Sequence, residues 1–96
     1  MKIVVLETAL DDLEDGFLFY ERQAPGLGNY FLDTLWADID SLQIYAGIQI
    51  ELSGYYRLLS KRFPYAVYYK VEGDEICVRA VLDCRQNPRR TNHRLR

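Results

Sequence analysis

Phe63-Pro64-Tyr65-Ala66-Val67-Tyr68-Tyr69-Lys70-Val71-Glu72-Gly73-Asp74-Glu75-Ile76-Cys77-Val78-Arg79-Ala80-Val81-Leu82-Asp83 reads as two strands and the turn that joins them. Successive strand residues point to opposite faces, so Phe63, Tyr65, Val67, Tyr69 and Val71 share one face while Tyr68 and Lys70 share the other. The first set is the expected core face. Glu72-Gly73-Asp74 has the composition of a tight hairpin turn, and Glu75 to Asp83 returns as the second strand. Upstream, Tyr55 to Ser60 reads as a further strand, Ser53-Gly54 as a turn, and Ile48 to Leu52 as a weaker extended segment.

The half before this meander has a different period. Lys2 to Leu6 is a short β-branched run without alternation, which predicts a strand buried on both faces in the interior of the sheet. Thr8 is placed to cap a helix, with Asp11 three residues on and Asp12 and Glu14 near its positive end. Leu10, Leu13, Phe17 and Tyr20 recur at helical spacing, and Pro25-Gly26 ends this helix near Gln23. A second helix, with the stripe Leu27, Phe31, Leu35, Ile39 and Leu42, runs to about Tyr45, where Gly47 suits a left-handed cap. So short a break predicts an antiparallel two-helix hairpin. The expected fold is α+β: an N-terminal strand, the helical hairpin, then an antiparallel β-meander, all within a single domain over residues 1–96. The tail from Arg85, with Asn87-Pro88 and five arginines, reads as loop or frayed helix.

Composition narrows the function classes. The 96 residues are 49% hydrophobic and 27% charged, which is globular rather than disordered. No run approaches the roughly 18 apolar residues of a membrane span, and the first residues lack the apolar stretch and cleavage site of a signal peptide. Two cysteines, Cys77 and Cys84, are too few for a disulfide scaffold. A cytoplasmic protein with no membrane association is expected. The net charge of −2 conceals a division: residues 1–52 carry ten acids and two bases, so −8, and residues 53–96 carry ten bases and four acids, so +6. Such asymmetry suits a surface for a polyanion or an acidic partner.

No phosphate-binding loop, nucleophile elbow or metal-spaced His/Cys set is present, so no metal and no cofactor is expected. Asp11, Asp12, Glu14 and Asp15 are accounted for by the helix dipole and solvation. The informative stretch is Tyr55 to Arg90, where Arg57, Lys61, Arg62, Lys70, Arg79, Arg85, Arg89 and Arg90 interleave with Tyr55, Tyr56, Tyr65, Tyr68 and Tyr69. Basic side chains neutralise phosphates and tyrosine rings stack on bases, although the same residue types also make good exposed strands.

In this order the elements resemble the RelE/ParE superfamily of toxins from bacterial type II toxin–antitoxin systems. The likeness spans nearly the whole chain. It rests most on Arg57-Leu58-Leu59-Ser60-Lys61-Arg62-Phe63-Pro64-Tyr65-Ala66-Val67-Tyr68-Tyr69-Lys70-Val71, on the hairpin Glu72-Gly73-Asp74-Glu75-Ile76, and on Val81-Leu82-Asp83-Cys84-Arg85-Gln86-Asn87-Pro88. Glu21-Arg22-Gln23-Ala24-Pro25-Gly26-Leu27-Gly28 is similar to the helix link of a ParE-like branch. The resemblance implies a growth inhibitor neutralised by a cognate antitoxin. Its target is DNA gyrase in ParE-like members, which are not enzymes, and ribosome-bound messenger RNA in RelE-like members, which are nucleases. Carried over by position, Arg57, Lys61 and Arg62 match the basic residues of the middle strands, and Arg85 matches the arginine after the last strand. The expected target-binding residues are Arg57, Lys61, Arg62, Tyr65, Arg79, Arg85, Arg89 and Arg90. The candidates for catalysis are Arg62, Arg85 and Asp83.

The chain departs from the nuclease pattern at its end. Asp83-Cys84 stand where many members have His, and no Tyr follows Tyr69. RNA cleavage by a 2′-hydroxyl needs a base, an acid and a positive group, and only Asp83 or His93 is left as the base. That favours inhibition by binding. A ribosome-dependent mRNA endonuclease and a non-toxic, degenerate binding module are the alternatives.

Overall fold

A computed structural model describes Met1–Arg96. In chain order it has β1 (Lys2–Val5), α1 (Glu7–Glu21), α2 (Leu27–Asp40), α3 (Leu42–Tyr45), β2 (Ile50–Leu52), β3 (Tyr55–Leu59), β4 (Tyr65–Glu72), β5 (Glu75–Asp83) and α4 (Pro88–Arg94). The fold is α+β, with one five-stranded sheet in the order β1-β5-β4-β3-β2. β2 to β5 form the antiparallel meander, and β1 joins parallel to β5, Ile3 opposite Ile76 and Val5 opposite Val78. No helix is long and apolar enough to cross a membrane.

The meander follows the period-two pattern closely. Ser53 and Gly54 both have positive φ, 54° and 84°, the left-handed pair that lets two residues turn β2 into β3 with the twist of the strands. Phe63, Tyr65, Val67 and Tyr69 lie in the main core with Ile76, Val78 and Val81. Tyr20, Phe31, Phe63 and Tyr65 bring their rings together at its centre, Phe31 to Tyr65 at 4.9 Å and Tyr20 to Phe63 at 4.8 Å. Edge-to-face packing of this kind adds to simple burial. Between Tyr68 and Tyr69 the register shifts, so that Tyr68 faces Ala80 while Tyr69 faces Val78 and Arg79 is the extra residue. That bulge carries the face alternation of β5 over by one: Val78 and Val81 both face the core.

Three expectations for the first half change. β1 is an edge strand, not an interior one, and Ile3 to Val5 are only half-buried. A four-residue apolar run satisfies the one face that the helices cover and one neighbour, and nothing in it demands a second neighbour. Thr8 does not cap α1; Leu6 holds that position, and the Thr8 hydroxyl instead donates to the carbonyl of Arg79 at 3.1 Å. The second helix stops at Asp40, and a single turn, α3, follows Ser41. Gly47 does take the left-handed conformation, φ 91°, and its N–H donates to the Tyr69 hydroxyl at 2.8 Å.

The buried side of α1 is also turned from the expected stripe. Ala9, Asp12, Leu13, Gly16 and Tyr20 are buried, whereas Leu10 is 44% exposed. Small residues cause this rotation. Gly16 receives the Phe31 ring of α2, and Gly28 receives Phe17 of α1, so the two helices interlock closely. The link between them is closed by the Glu21 carboxylate, which accepts from the N–H groups of Gly26 and Gly28 at 3.0–3.1 Å and so caps the positive end of α2. A Cβ on Gly28 would stand 2.8 Å from the Phe17 carbonyl oxygen, and backbone does not yield as a side chain does. Gly28→Ala should therefore destabilise the chain by up to about 2 kcal/mol, because overpacking of about 1–3 kcal/mol opposes a gain of about 1 kcal/mol in helix propensity and the contact is with backbone. Urea unfolding measures it; a more stable variant would show that the helices can separate freely.

Candidate functional site

The sheet has a second face, turned away from α1 and α2. Strand alternation places Tyr55, Arg57 and Leu59 there, because Tyr56 and Leu58 pack into the core. Across the ladder Arg57 stands opposite Tyr68, its Nε donating to the Tyr68 hydroxyl at 3.3 Å and its Nη2 3.7 Å from the Cys84 sulfur. The Lys70 ammonium lies 4.6 Å from the centre of the Tyr55 ring, a cation–π pair. Cations and tyrosines are therefore interleaved on this face as their sequence parity implied. One end of it is covered. Leu95, just past α4, is buried against Ala66, Tyr68, Ala80 and Leu82 in a small second core.

α4 itself is a helix and not a frayed tail. Asn87 caps it, its side-chain oxygen accepting from the Arg89 N–H at 2.9 Å, and Pro88 starts the first turn. Its far end is tied to α1. Arg94 donates to both oxygens of Asp12, at 2.8 and 2.9 Å, and Asp12 also accepts from the Val81 N–H at 3.0 Å. Asp12 is only 8% exposed. It satisfies the edge of β5 beyond the end of β1, so the dipole-and-solvation account of this residue is corrected. The signal was in the sequence: Asp12 lies three residues after Ala9 and four before Gly16, on the stripe of small residues that α1 buries.

Between α1, the end of β5 and α4 opens a cleft of about 660 Å³, lined among others by Phe19, Tyr65, Asp83, Arg89, Arg90 and His93. Asp83 stands opposite Tyr65 in the ladder. Its carboxylate accepts from the N–H, Nε and Nη2 of Arg85 at 2.7–3.0 Å. These hydrogen bonds from Arg85 hold the Asp83 carboxyl below its usual range in spite of its partial burial. The Arg85 side chain is 57% exposed, so its remaining donors face solvent from a fixed guanidinium.

The expected target-binding residues and the catalysis candidate Asp83 thus divide among five places. Asp83, Arg85, Arg89 and Arg90 gather at or beside the cleft, and Arg57 lies on the outer sheet face. Lys61 and Arg62 lie in the loop before β4, where Arg62 turns to α2 and donates to the Tyr30 hydroxyl at 2.7 Å. Arg79 lies at the bulge and donates to Thr8. Tyr65 is 8% exposed, with its ring in the aromatic cluster, so it presents no open stacking surface. No group of His, Cys, Asp and Glu side chains is arranged to hold a metal ion.

Burial, with Asp83 nearby, pushes the Tyr65 hydroxyl up to about 12, and burial also raises Tyr20 and Tyr69. An absorbance titration of the native chain should show these three ionising above the usual tyrosine value of ~10, Tyr65 at about 12. A group whose pKa is raised by folding stabilises the native state fully below its unfolded value. Stability should therefore decline as pH rises from about 10 through about 12. Ionisation of Tyr20, Tyr65 and Tyr69 at the usual ~10 in the folded chain would contradict the burial.

No family model matches the sequence, and no curated protein matches it. Among solved structures, the chain is similar to one in the chromosomal ParDE TA system from P. aeruginosa, with a TM-score of 0.77 and 22% identity, over 84% of this chain and 92% of that one. The likeness is one of fold alone.

Proposed function

We propose that the chain is the toxin of a type II toxin–antitoxin system, a growth inhibitor that a cognate antitoxin neutralises and that acts by binding a target such as DNA gyrase. The observation that carries this reading is the fold, shared at a TM-score of 0.77 with a chain from a toxin–antitoxin pair. Binding is favoured over RNA cleavage by the state of Asp83. A general base must accept a proton near neutral pH, and Asp83 is held below the ordinary carboxylate range with Arg85 on both its oxygens. Arg85, exposed and fixed, is the cation best placed to meet an acidic or phosphate group.

The endonuclease reading keeps one specific support, since His93 lines the cleft beside Arg89, Arg90 and Arg94. Induction of the gene alone in bacteria should arrest growth, and co-expression of an adjacent antitoxin gene should relieve the arrest. Arg85→Ala should abolish toxicity with the fold intact, because the side chain is mostly exposed and Asp83 is its ion-pair partner. Messenger RNA should remain uncut while supercoiling fails and a DNA-damage response follows. Codon-phased cuts that vanish with Arg85→Ala would establish the nuclease instead, and unaffected growth would leave the degenerate binding module. Antitoxin binding should weaken as salt is added, because the half from residue 53 onward carries +6 and exposed charge contacts are screened.

A further inference from the structure

The outer edge of β2 is open, and the chain around it is apolar where an unpaired edge is usually charged or blocked. Ile44 is 78% exposed, Ile48 75%, Ile50 81%, Tyr45 52% and Leu52 41%. The opposite edge of the sheet, β1, begins instead with the exposed Lys2. Side-chain parity sorts the β2 segment into two rows. Ile50 and Leu52 stand opposite Arg57 and Tyr55, on the outer face, and the exposed Ile48 lies two residues ahead of the strand. Gln49 and Glu51 take the inner side, where the Gln49 oxygen accepts from the Tyr69 hydroxyl.

We propose that this edge pairs with the same edge of a second copy of the chain, antiparallel and two-fold, with Ile50 on the axis. Residues directly opposite in an antiparallel pair lie on the same face, so the axis must pass through a residue and not between two. Centring on Ile50 sets Ile50 against Ile50 of the partner subunit and Ile48 against Leu52 of the partner subunit. On the other face Gln49 meets Glu51 of the partner subunit. Its oxygen already accepts from Tyr69, which leaves the amide N–H groups to donate to that carboxylate. Apolar residues meet apolar ones, and no like charges are opposed. Centring on Glu51 would place two carboxylates face to face, which is destabilising. The exposed Ile44 and Tyr45 of α3 flank the edge and add apolar area at the rim. A foreign basic strand is the competing occupant, because residues 23–56 contain four acids and no base. The self-complementary register favours a second copy.

The test is sedimentation of the full chain over a concentration series, independent of any toxicity. A reversible monomer–dimer equilibrium is expected. Ile50→Lys, a change at a site exposed enough to spare the fold, should abolish it by placing two ammonium groups on the axis. Circular dichroism and thermal unfolding should match the parent. In a Cys77→Ser, Cys84→Ser background, Ile50→Cys should cross-link to its own copy under mild oxidation, whereas Glu51→Cys should not. A chain that remains monomeric at millimolar concentration overturns the proposal and leaves the edge to a foreign strand. A dimer that survives Ile50→Lys, or that cross-links through Glu51→Cys, overturns the pairing.

Discussion

Asp12→Ala should destabilise the chain by about 3–5 kcal/mol, the range for breaking a buried ion pair from one side. Asp12 is buried and serves two donors at once, the Val81 N–H and the Arg94 guanidinium. Its removal orphans a backbone N–H on β5, which alone costs about 1–3 kcal/mol. It also releases the end of α4, and with it the Leu95 side chain that closes the second core. Arg94→Ala should cost less, about 1–3 kcal/mol, because Asp12 keeps the Val81 bond and the site can admit water once the 34%-exposed arginine side chain is gone. The double variant should be less destabilised than the two singles added together, since they share one interaction. Asp12→Asn should recover part of the loss, as an amide oxygen still accepts from Val81. Urea unfolding of the four variants measures the cycle, and strict additivity would show that the pair is not coupled. Hydrogen exchange at the Val81 amide should quicken in Asp12→Ala and stay slow in Arg94→Ala.

Phe31→Ala should be as severe, at about 3–5 kcal/mol, the usual cost of truncating a fully buried aromatic. For a chain of this length that corresponds to a fall in Tm of roughly 12–30 °C. Phe31 is fully buried and joins α2 both to α1, through Gly16, and to the sheet, through Phe63 and Tyr65. The sign of a second substitution identifies the mechanism. In the parent chain Gly16→Ala drives a Cβ into the Phe31 ring, and neither helix can retreat without opening the core. It should cost about 1–3 kcal/mol. In the Phe31→Ala background the same Cβ enters the vacated space and adds helix propensity, so Gly16→Ala should be neutral or stabilising. If Gly16→Ala proves equally harmful in both backgrounds, close packing on Phe31 is not what requires the glycine.

The meander was legible because its information is local. Alternation from Phe63 to Tyr69 depends only on the two-residue period of a strand. It fails at Val71, which is exposed because β4 there runs past the helices' cover. The Ser53-Gly54 and Gly73 turns depend on backbone freedom at single positions. The stripe of Leu27, Phe31, Leu35, Ile39 and Leu42 was legible for the same reason: the last four are buried and Leu27 packs half-buried against them, although Leu42 stands in α3 and not in α2. The interleaving of Arg57 and Lys70 with tyrosines on the outer face followed from parity alone.

Local pattern thus carried the order of the elements, their periods, and the face that β4 turns to the core. The tertiary structure decided the rest. Whether β1 lies inside the sheet or at its edge depends on what pairs with its far side, and four apolar residues carry no record of that. Which side of α1 is buried depended on Gly16 and Gly28, whose lack of a side chain lets two helices approach and which weigh nothing in a count of apolar residues. The burial of Asp12 could be read from its spacing to Ala9 and Gly16, but its partners could not, because they lie 69 and 82 residues away. α4 is anchored by those contacts and by Leu95, so its order belongs to the folded chain and not to its own seven residues. A short helix is marginal in water until tertiary packing holds it.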